Sequence, residues 1–195
     1  TVAVLKQNNV NVTCEKGLVC CGMPAWESGD LETFHNKAET NLDRLEPHIT
    51  SGKKVVAINP TCSMMLRREY PELVKTADRD RAKALAEATV DPSEYLWSIR
   101  EEQRFNTSFA STPGNVNYHA PCHLRAQAVG FKGRDLLRKI PGVKPSTTME
   151  CCGHNGTFAM RNEGFEVSVR IGQKAFDGMK NGESDLKTLT ELMRF

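Results

Sequence analysis

Two Cys-Cys-Gly triplets stand out in the chain, Cys20-Cys21-Gly22 and Cys151-Cys152-Gly153. Each follows a short β-like segment. Each is matched by a lone cysteine at a proline-marked strand end, Cys62 after Pro60-Thr61 and Cys122 after Pro121. Adjacent cysteines seldom bond to one another, because the small ring that results strains both the peptide and the S–S geometry. Soft thiolates gathered on loops suit iron–sulfur clusters or zinc. A glycine after each pair permits a backbone turn that a side chain would obstruct, so two neighbouring thiolates can face one site. The chemistry implied is metal binding in the service of electron handling.

The segments that must position these cysteines alternate between strand and helix. Residues 1–5 read as the tail of a helix, and residues 10–13 as a short strand before the first triplet. The spacing of Leu31, Phe34, Ala38, Leu42 and Leu45 predicts an amphipathic helix over 30–49, capped by Asp30 and ended at Ser51-Gly52. Residues 54–59 form an apolar run of the buried parallel-strand type. A helical pattern runs from Cys62 to Leu66 and is interrupted at Tyr70-Pro71; charged helices are expected at 79–89 and 93–103. After the turn Ser111-Thr112-Pro113-Gly114, a strand at 115–119 leads to Pro121-Cys122, a helix includes 134–139, and a strand at 143–149 delivers the second triplet. Helices are expected again at 165–180 and 186–195.

This alternation predicts an α/β fold: two pseudo-repeated units with short, mostly parallel sheets flanked by helices. The boundary is expected at the Ser111 turn, with residues 1–110 a first unit carrying a helical extension and residues 111–195 a second, packed as one body. The order is mirrored, triplet before lone cysteine in one half and after it in the other. In parallel α/β sheets ligands bind beyond the carboxyl ends of strands, where loops meet helix N-termini. Helix N-termini lower thiol pKa values and favour the thiolate that a metal requires.

Composition narrows the function classes. At 195 residues, 39% hydrophobic and 26% charged, the chain is of ordinary globular type. A net charge of +2 argues neither for nucleic acid nor for an anionic membrane as partner. The cations Arg125, Lys132, Arg134, Arg138, Lys139 and Lys144 read as a solvated helix face, with docking of an acidic redox partner as the alternative. Seven cysteines are an odd number, and their spacing is unlike a secreted disulfide scaffold. With no long apolar run and no signal-peptide pattern, a cytoplasmic setting is expected, with attachment at the inner face of the membrane only through partners. Phosphate-binding glycine fingerprints are missing, so flavin or nucleotide binding by the chain itself is not expected.

Four segments carry a more specific signal: Val19-Cys20-Cys21-Gly22-Met23-Pro24, Asn59-Pro60-Thr61-Cys62, Tyr118-His119-Ala120-Pro121-Cys122-His123 and Glu150-Cys151-Cys152-Gly153. Together, over roughly residues 10–180, they resemble the cysteine-rich CCG-domain family, of the type of the heterodisulfide reductase B subunit. The runs 62–71 and 118–123 look closest to the C subunit of anaerobic glycerol-3-phosphate dehydrogenase. The resemblance implies a cluster-bearing electron-transfer subunit of an oxidoreductase complex, with an iron–sulfur cluster of 4Fe–4S type. Its expected partners are a flavin-containing dehydrogenase subunit, a ferredoxin-type domain or subunit, and a membrane or quinone-linked partner. Electrons would pass to a quinone or a thiol/disulfide acceptor. Carried over residue by residue, Cys20, Cys21 and Cys62 are cofactor ligands of the first unit, and Cys122, Cys151 and Cys152 of the second. The family's outer cysteine in each unit has no counterpart, Cys14 lying too near Cys20, and no ferredoxin-type run of close-spaced cysteines occurs. The sequence therefore reads as a truncated piece, with residues expected before Thr1 and between Asp185 and Leu186.

Other readings compete. A zinc-binding structural site could form at one unit from Cys122, His123, Cys151, Cys152 and His154. A thiol enzyme would use Cys122 as nucleophile beside His119 or His123, but leaves the paired cysteines unexplained. A metal-free assembly module is the remaining reading. Cys14 is expected as a plain strand cysteine, and His35 and His48 as surface residues. Trp26, Trp97, Met23, Met64, Met65 and Met160 are expected to fill core or shield a cluster.

Overall fold

A computed structural model describes residues 1–109, 112, 114–181 and 186–188. Two compact units divide the chain, one built from residues 1–6 and 10–92, the other from 7–9 and 93 onward. The division thus falls earlier than the Ser111 turn, of which Ser111 and Pro113 lie outside the described residues. The extension assigned from sequence to the first unit groups with the second for identifiable reasons. The Asn106 N–H donates to Asn8 Oδ1 (2.7 Å), and the Trp97 ring lies under Arg100, Lys132 and Lys139.

The first unit contains α1 (Val2–Gln7), α2 (Met23–Glu27), α3 (Leu31–Thr50), β1 (Val55–Val56), α4 (Pro60–Met64), a π turn (Met65–Glu69), α5 (Tyr70–Leu73), α6 (Arg79–Ala88) and β2 (Thr89–Val90). Asp30 caps α3 as expected, its carboxylate accepting from the Thr33 N–H (3.0 Å). The stripe Phe34, Ala38, Leu42 and Leu45 is buried, whereas Leu31, in the first turn, is 50% exposed. β1 and β2 pair in parallel, Val55 with Thr89 and Val56 with Val90. The strand expected at 54–59 is this short because β2 offers only two residues, and Ile58 beyond it is 61% exposed. Residues 10–13, expected as a strand, are irregular; without a partner, a strand gains no ladder hydrogen bonds.

The helix after Cys62 does not stop at Tyr70-Pro71. Pro71 lacks an N–H, and in a regular α-helix its ring would strike the carbonyl four residues back. The π turn relieves this: the Tyr70 N–H reaches back five residues to the Met65 carbonyl, and α5 resumes with Pro71 in its first turn.

The second unit contains α7 (Pro92–Ser98, apart from its first residue), β3 (Val116–His119), α8 (Cys122–Ala126), α9 (Lys132–Leu137), β4 (Pro145–Thr148), α10 (Asn162–Asn181) and β5 (Leu186–Thr188). Its sheet has the order β4-β3-β5, all parallel. β3 is central and buried along its whole length, with the Asn117 amide donating to the Met179 carbonyl (3.0 Å). Residues 186–188, expected as helix, are a strand instead. They pair with residues 116–118 on the edge of β3 that β4 leaves open, so pairing overrides local propensity. Residues 189–195 of that predicted helix lie outside the described residues.

The fold is α/β, in two pseudo-repeated units with short parallel sheets and flanking helices. In both, a triplet precedes a 20-residue helix, α3 or α10, which returns the chain to a parallel strand. The glycine of each triplet allows that helix to pack close. A Cβ on Gly22 would come within 2.8 Å of the Phe34 ring; on Gly153 it would lie 2.0 Å from the Ser168 carbonyl oxygen. Gly172, one turn along α10, admits the Cys152 carbonyl in the same way, its own Cβ position being 2.5 Å from that oxygen.

Gly153→Ala is therefore expected to cost about 3 kcal/mol or more in urea denaturation, from a positive φ and a backbone collision together. Gly29→Ala has a similar φ but nothing within 4 Å, and should cost only about 1–2 kcal/mol.

Candidate metal centre

In the first unit three cysteines from two segments meet. Cys21 is buried behind Gly22, Cys20 is exposed, and Cys62 is half-buried near the start of α4. Asn59 caps that helix, its side-chain oxygen accepting from the Thr61 and Cys62 N–H groups (2.8 and 3.4 Å). The Cys21 thiol hydrogen-bonds to Cys62, and Cys20 lies close enough to act on both. Donating to Cys62 holds the Cys21 thiol well above the ordinary cysteine pKa, and burial pushes it the same way. Accepting that bond brings Cys62 below the ordinary value, against the opposing effects of burial and Cys20. Cys62 is thus the first of the pair to ionise.

Two polar side chains support this loop from behind. Asn41, buried on the core stripe of α3, accepts from the Val19 N–H (3.0 Å) and donates to the Cys20 carbonyl (3.4 Å) and to the Tyr70 hydroxyl oxygen (3.2 Å). The buried Tyr70 hydroxyl donates to the Cys21 carbonyl (3.0 Å). Burial raises the Tyr70 pKa, and the three nearby cysteines add to the rise, so the hydroxyl keeps its proton.

The second unit gathers Cys122, Cys151 and Cys152. The Cys122 and Cys151 sulfurs act electrostatically on Cys152, although burial is the larger cause of its raised pKa; the His154 N–H opposes both by donating to the Cys152 sulfur. Arg125 Nη2 donates to Cys122 Sγ (3.3 Å), and the Gly153 N–H to Cys151 Sγ (3.4 Å). His119 Nε2 donates to the Glu150 carbonyl (2.9 Å), fixing the residue just before the triplet. Its ring is bound to that carbonyl and buried within β3, which is not the exposed setting of a base for a Cys122 nucleophile.

Comparison with known proteins places these motifs. Residues 1–67 and 116–188 match the family described as CCG, cysteine-rich domain. The chain belongs to the CCG cysteine-rich domain family. Among its relatives is the C subunit of anaerobic glycerol-3-phosphate dehydrogenase of Escherichia coli (strain K12), 29% identical over 86% of this chain and 41% of that protein. Lactate utilization protein A of Bacillus pumilus is 30% identical over 83% of this chain and 67% of its own length. The B subunit of fumarate reductase (CoM/CoB) of Methanothermobacter marburgensis is 28% identical over 88% and 32%. The chain spans about two fifths of the glycerol-3-phosphate dehydrogenase subunit. No solved structure shows significant similarity.

Both parts of the chain that match the CCG family bring their lone cysteine to their triplet. Yet among the described residues no three Cys, His, Asp or Glu side chains converge tightly enough to grip a single metal ion. Thiolate donors gathered in this way are the ligand type of iron–sulfur groups and of zinc alike. Cys14 is exposed in an irregular segment and not on a strand. Met23 and Met65 are buried as expected, but Met160 is 66% exposed. His35 and His48 are not plain surface residues: both are half-buried, with partners at the Leu73 carbonyl and the Glu15 carboxylate. Sequence reasoning overlooked Asn41 and Tyr70. The available signals were an asparagine on an apolar helical stripe and a tyrosine just before a proline inside a helix.

The ionisation order is testable in the metal-free protein. At pH 8, iodoacetamide should label Cys62 faster than Cys21 in residue-resolved mass spectrometry, and Cys62 labelling should level off at a lower pH.

Proposed function

We propose that this chain is the cluster-holding part of an electron-transfer subunit, with Cys20, Cys21 and Cys62 as ligands in the first unit and Cys122, Cys151 and Cys152 in the second. The observation that carries the reading is the meeting, in each unit, of a Cys-Cys-Gly pair with a lone cysteine from a separate segment. Two relatives whose names declare them subunits of a dehydrogenase and a reductase support an oxidoreductase setting. A bound cluster of 4Fe–4S type supplies one-electron transfer by exchange between ferric and ferrous iron. The chain's own part is to hold the thiolates, keep water from Cys21 by burial, and place N–H donors such as those of Gly153 and His154 against sulfur.

In this reading electrons come from a flavin-containing dehydrogenase subunit, through a ferredoxin-type domain or subunit, and leave to a quinone or a thiol/disulfide acceptor. Among the described residues no helix is long and apolar enough to cross a membrane. A cytoplasmic position, with contact to the inner membrane face through a partner, accords with this reading. The two matched stretches, 1–67 and 116–188, support a reading in which each unit is a separate holder. Zinc in the second unit, held by Cys122, Cys151 and Cys152 with His123 or His154, is the lesser reading.

Anaerobic reconstitution tests the proposal. The expected product is brown, with a broad absorption band near ~400 nm and iron matched by acid-labile sulfide. Cys21→Ala and Cys152→Ala should each remove about half of the iron, if each unit holds one cluster. A colourless product with stoichiometric zinc, or no metal, would refute it.

A further inference from the structure

The first unit holds its triplet by a device built on two buried polar side chains. Asn41 and Tyr70 make four hydrogen bonds: to Val19, to the carbonyls of Cys20 and Cys21, and to each other. Both side chains are buried, where an unpaired polar group costs more than a bond contributes. Polar side chains placed there and fully engaged on the triplet act on its shape. The Phe34 ring completes the support, lying against Gly22 and edge-on to Tyr70 with centroids 5.7 Å apart.

The π turn explains how Tyr70 reaches the triplet. Cys62 and Tyr70 are eight positions apart, about 800° of rotation in a regular α-helix, which leaves them about 80° apart around the axis. A π turn absorbs one residue, so the separation equals about seven α-helical steps, or about 700°, within roughly 20° of alignment. The thiol of Cys62 and the hydroxyl of Tyr70 therefore face the same loop from one helix, one binding the Cys21 thiol and the other the Cys21 carbonyl. In a planar trans peptide the C=O and N–H point oppositely, so drawing in the carbonyls of Cys20 and Cys21 also sets the following N–H groups.

We propose that Asn41 and Tyr70, aimed by the π turn, are positioning residues that set the direction of the Cys20 and Cys21 thiolates toward Cys62, and through it the retention and the redox behaviour of the first-unit cluster. The inference rests on the cluster-holding reading above. Tyr70→Phe keeps the ring against Phe34 and removes only the hydroxyl. In the Cys152→Ala chain, where only the first unit is loaded, this change should speed iron release to a chelator about tenfold, from the loss of one to two buried hydrogen bonds. It should also move the midpoint potential and the EPR signature of the reduced protein. Asn41→Asp, which keeps the acceptor for Val19 and loses the donor to Cys20 and Tyr70, should act in the same direction.

Unchanged release, potential and EPR signature in both variants, with iron bound, would overturn the inference and leave the cluster reading intact. If the parent chain takes up no iron, the cluster reading fails, and labelling of the metal-free protein decides the positioning role. Tyr70→Phe should then raise the iodoacetamide rate at Cys21 about tenfold, with the rate at Cys151 as internal reference. Equal rates at Cys21 would remove the role of Tyr70 altogether.

Discussion

The backbone of each triplet lies against a long helix at a distance that no side chain would allow. Gly22 stands against Phe34 of α3, and Gly153 against the Ser168 carbonyl of α10. From that contact much else follows. Packing the turn on the helix draws one thiol of the first pair inward, leaving Cys21 buried and Cys20 exposed; the second pair divides less sharply, with Cys152 half-buried and Cys151 exposed. The helix then carries the chain back to a parallel strand. A sheet edge, a helix and a thiol pair are thereby tied to one steric condition.

Close packing alone does not orient two adjacent cysteines, and the units meet this need differently. The first uses an amide and a phenol from the core, Asn41 and Tyr70, on the backbone of residues 19–21. The second uses a buried histidine on its central strand, with His119 holding the Glu150 carbonyl. In each case a polar group from another element binds the residue just before the pair. Because a buried hydrogen bond is costly to leave unmade, such groups restrict the triplet more sharply than apolar contact does. The pseudo-repeat thus keeps the position of the support while changing its chemistry.

The thiols also differ in readiness to ionise. Where Cys21 donates to Cys62, one sulfur is kept protonated and the other becomes the easier thiolate. Cys152 is held up mainly by burial, so its reluctance has a different origin.

Much of this was legible without a fold. The triplets, the lone cysteines, the cap at Asp30 and the core stripe of α3 are local signals, since capping, helical spacing and glycine after a cysteine pair act within a few residues. The α/β alternation follows from the same patterns. What only tertiary structure decided depends on partners far along the chain. Residues 54–59 form just two paired positions because β2 is short, and residues 186–188 became strand because β3 had an edge to offer. Tyr70-Pro71 read as a break because proline ends most helices, whereas the π turn let the helix continue and carried Tyr70 to Cys21. Asn41 has a role only because the fold brings to it the backbone it binds, more than twenty residues away. Local sequence set the kinds of atoms and their immediate turns; long-range packing chose which of them meet, because hydrogen-bond pairing and burial are properties of neighbours in space.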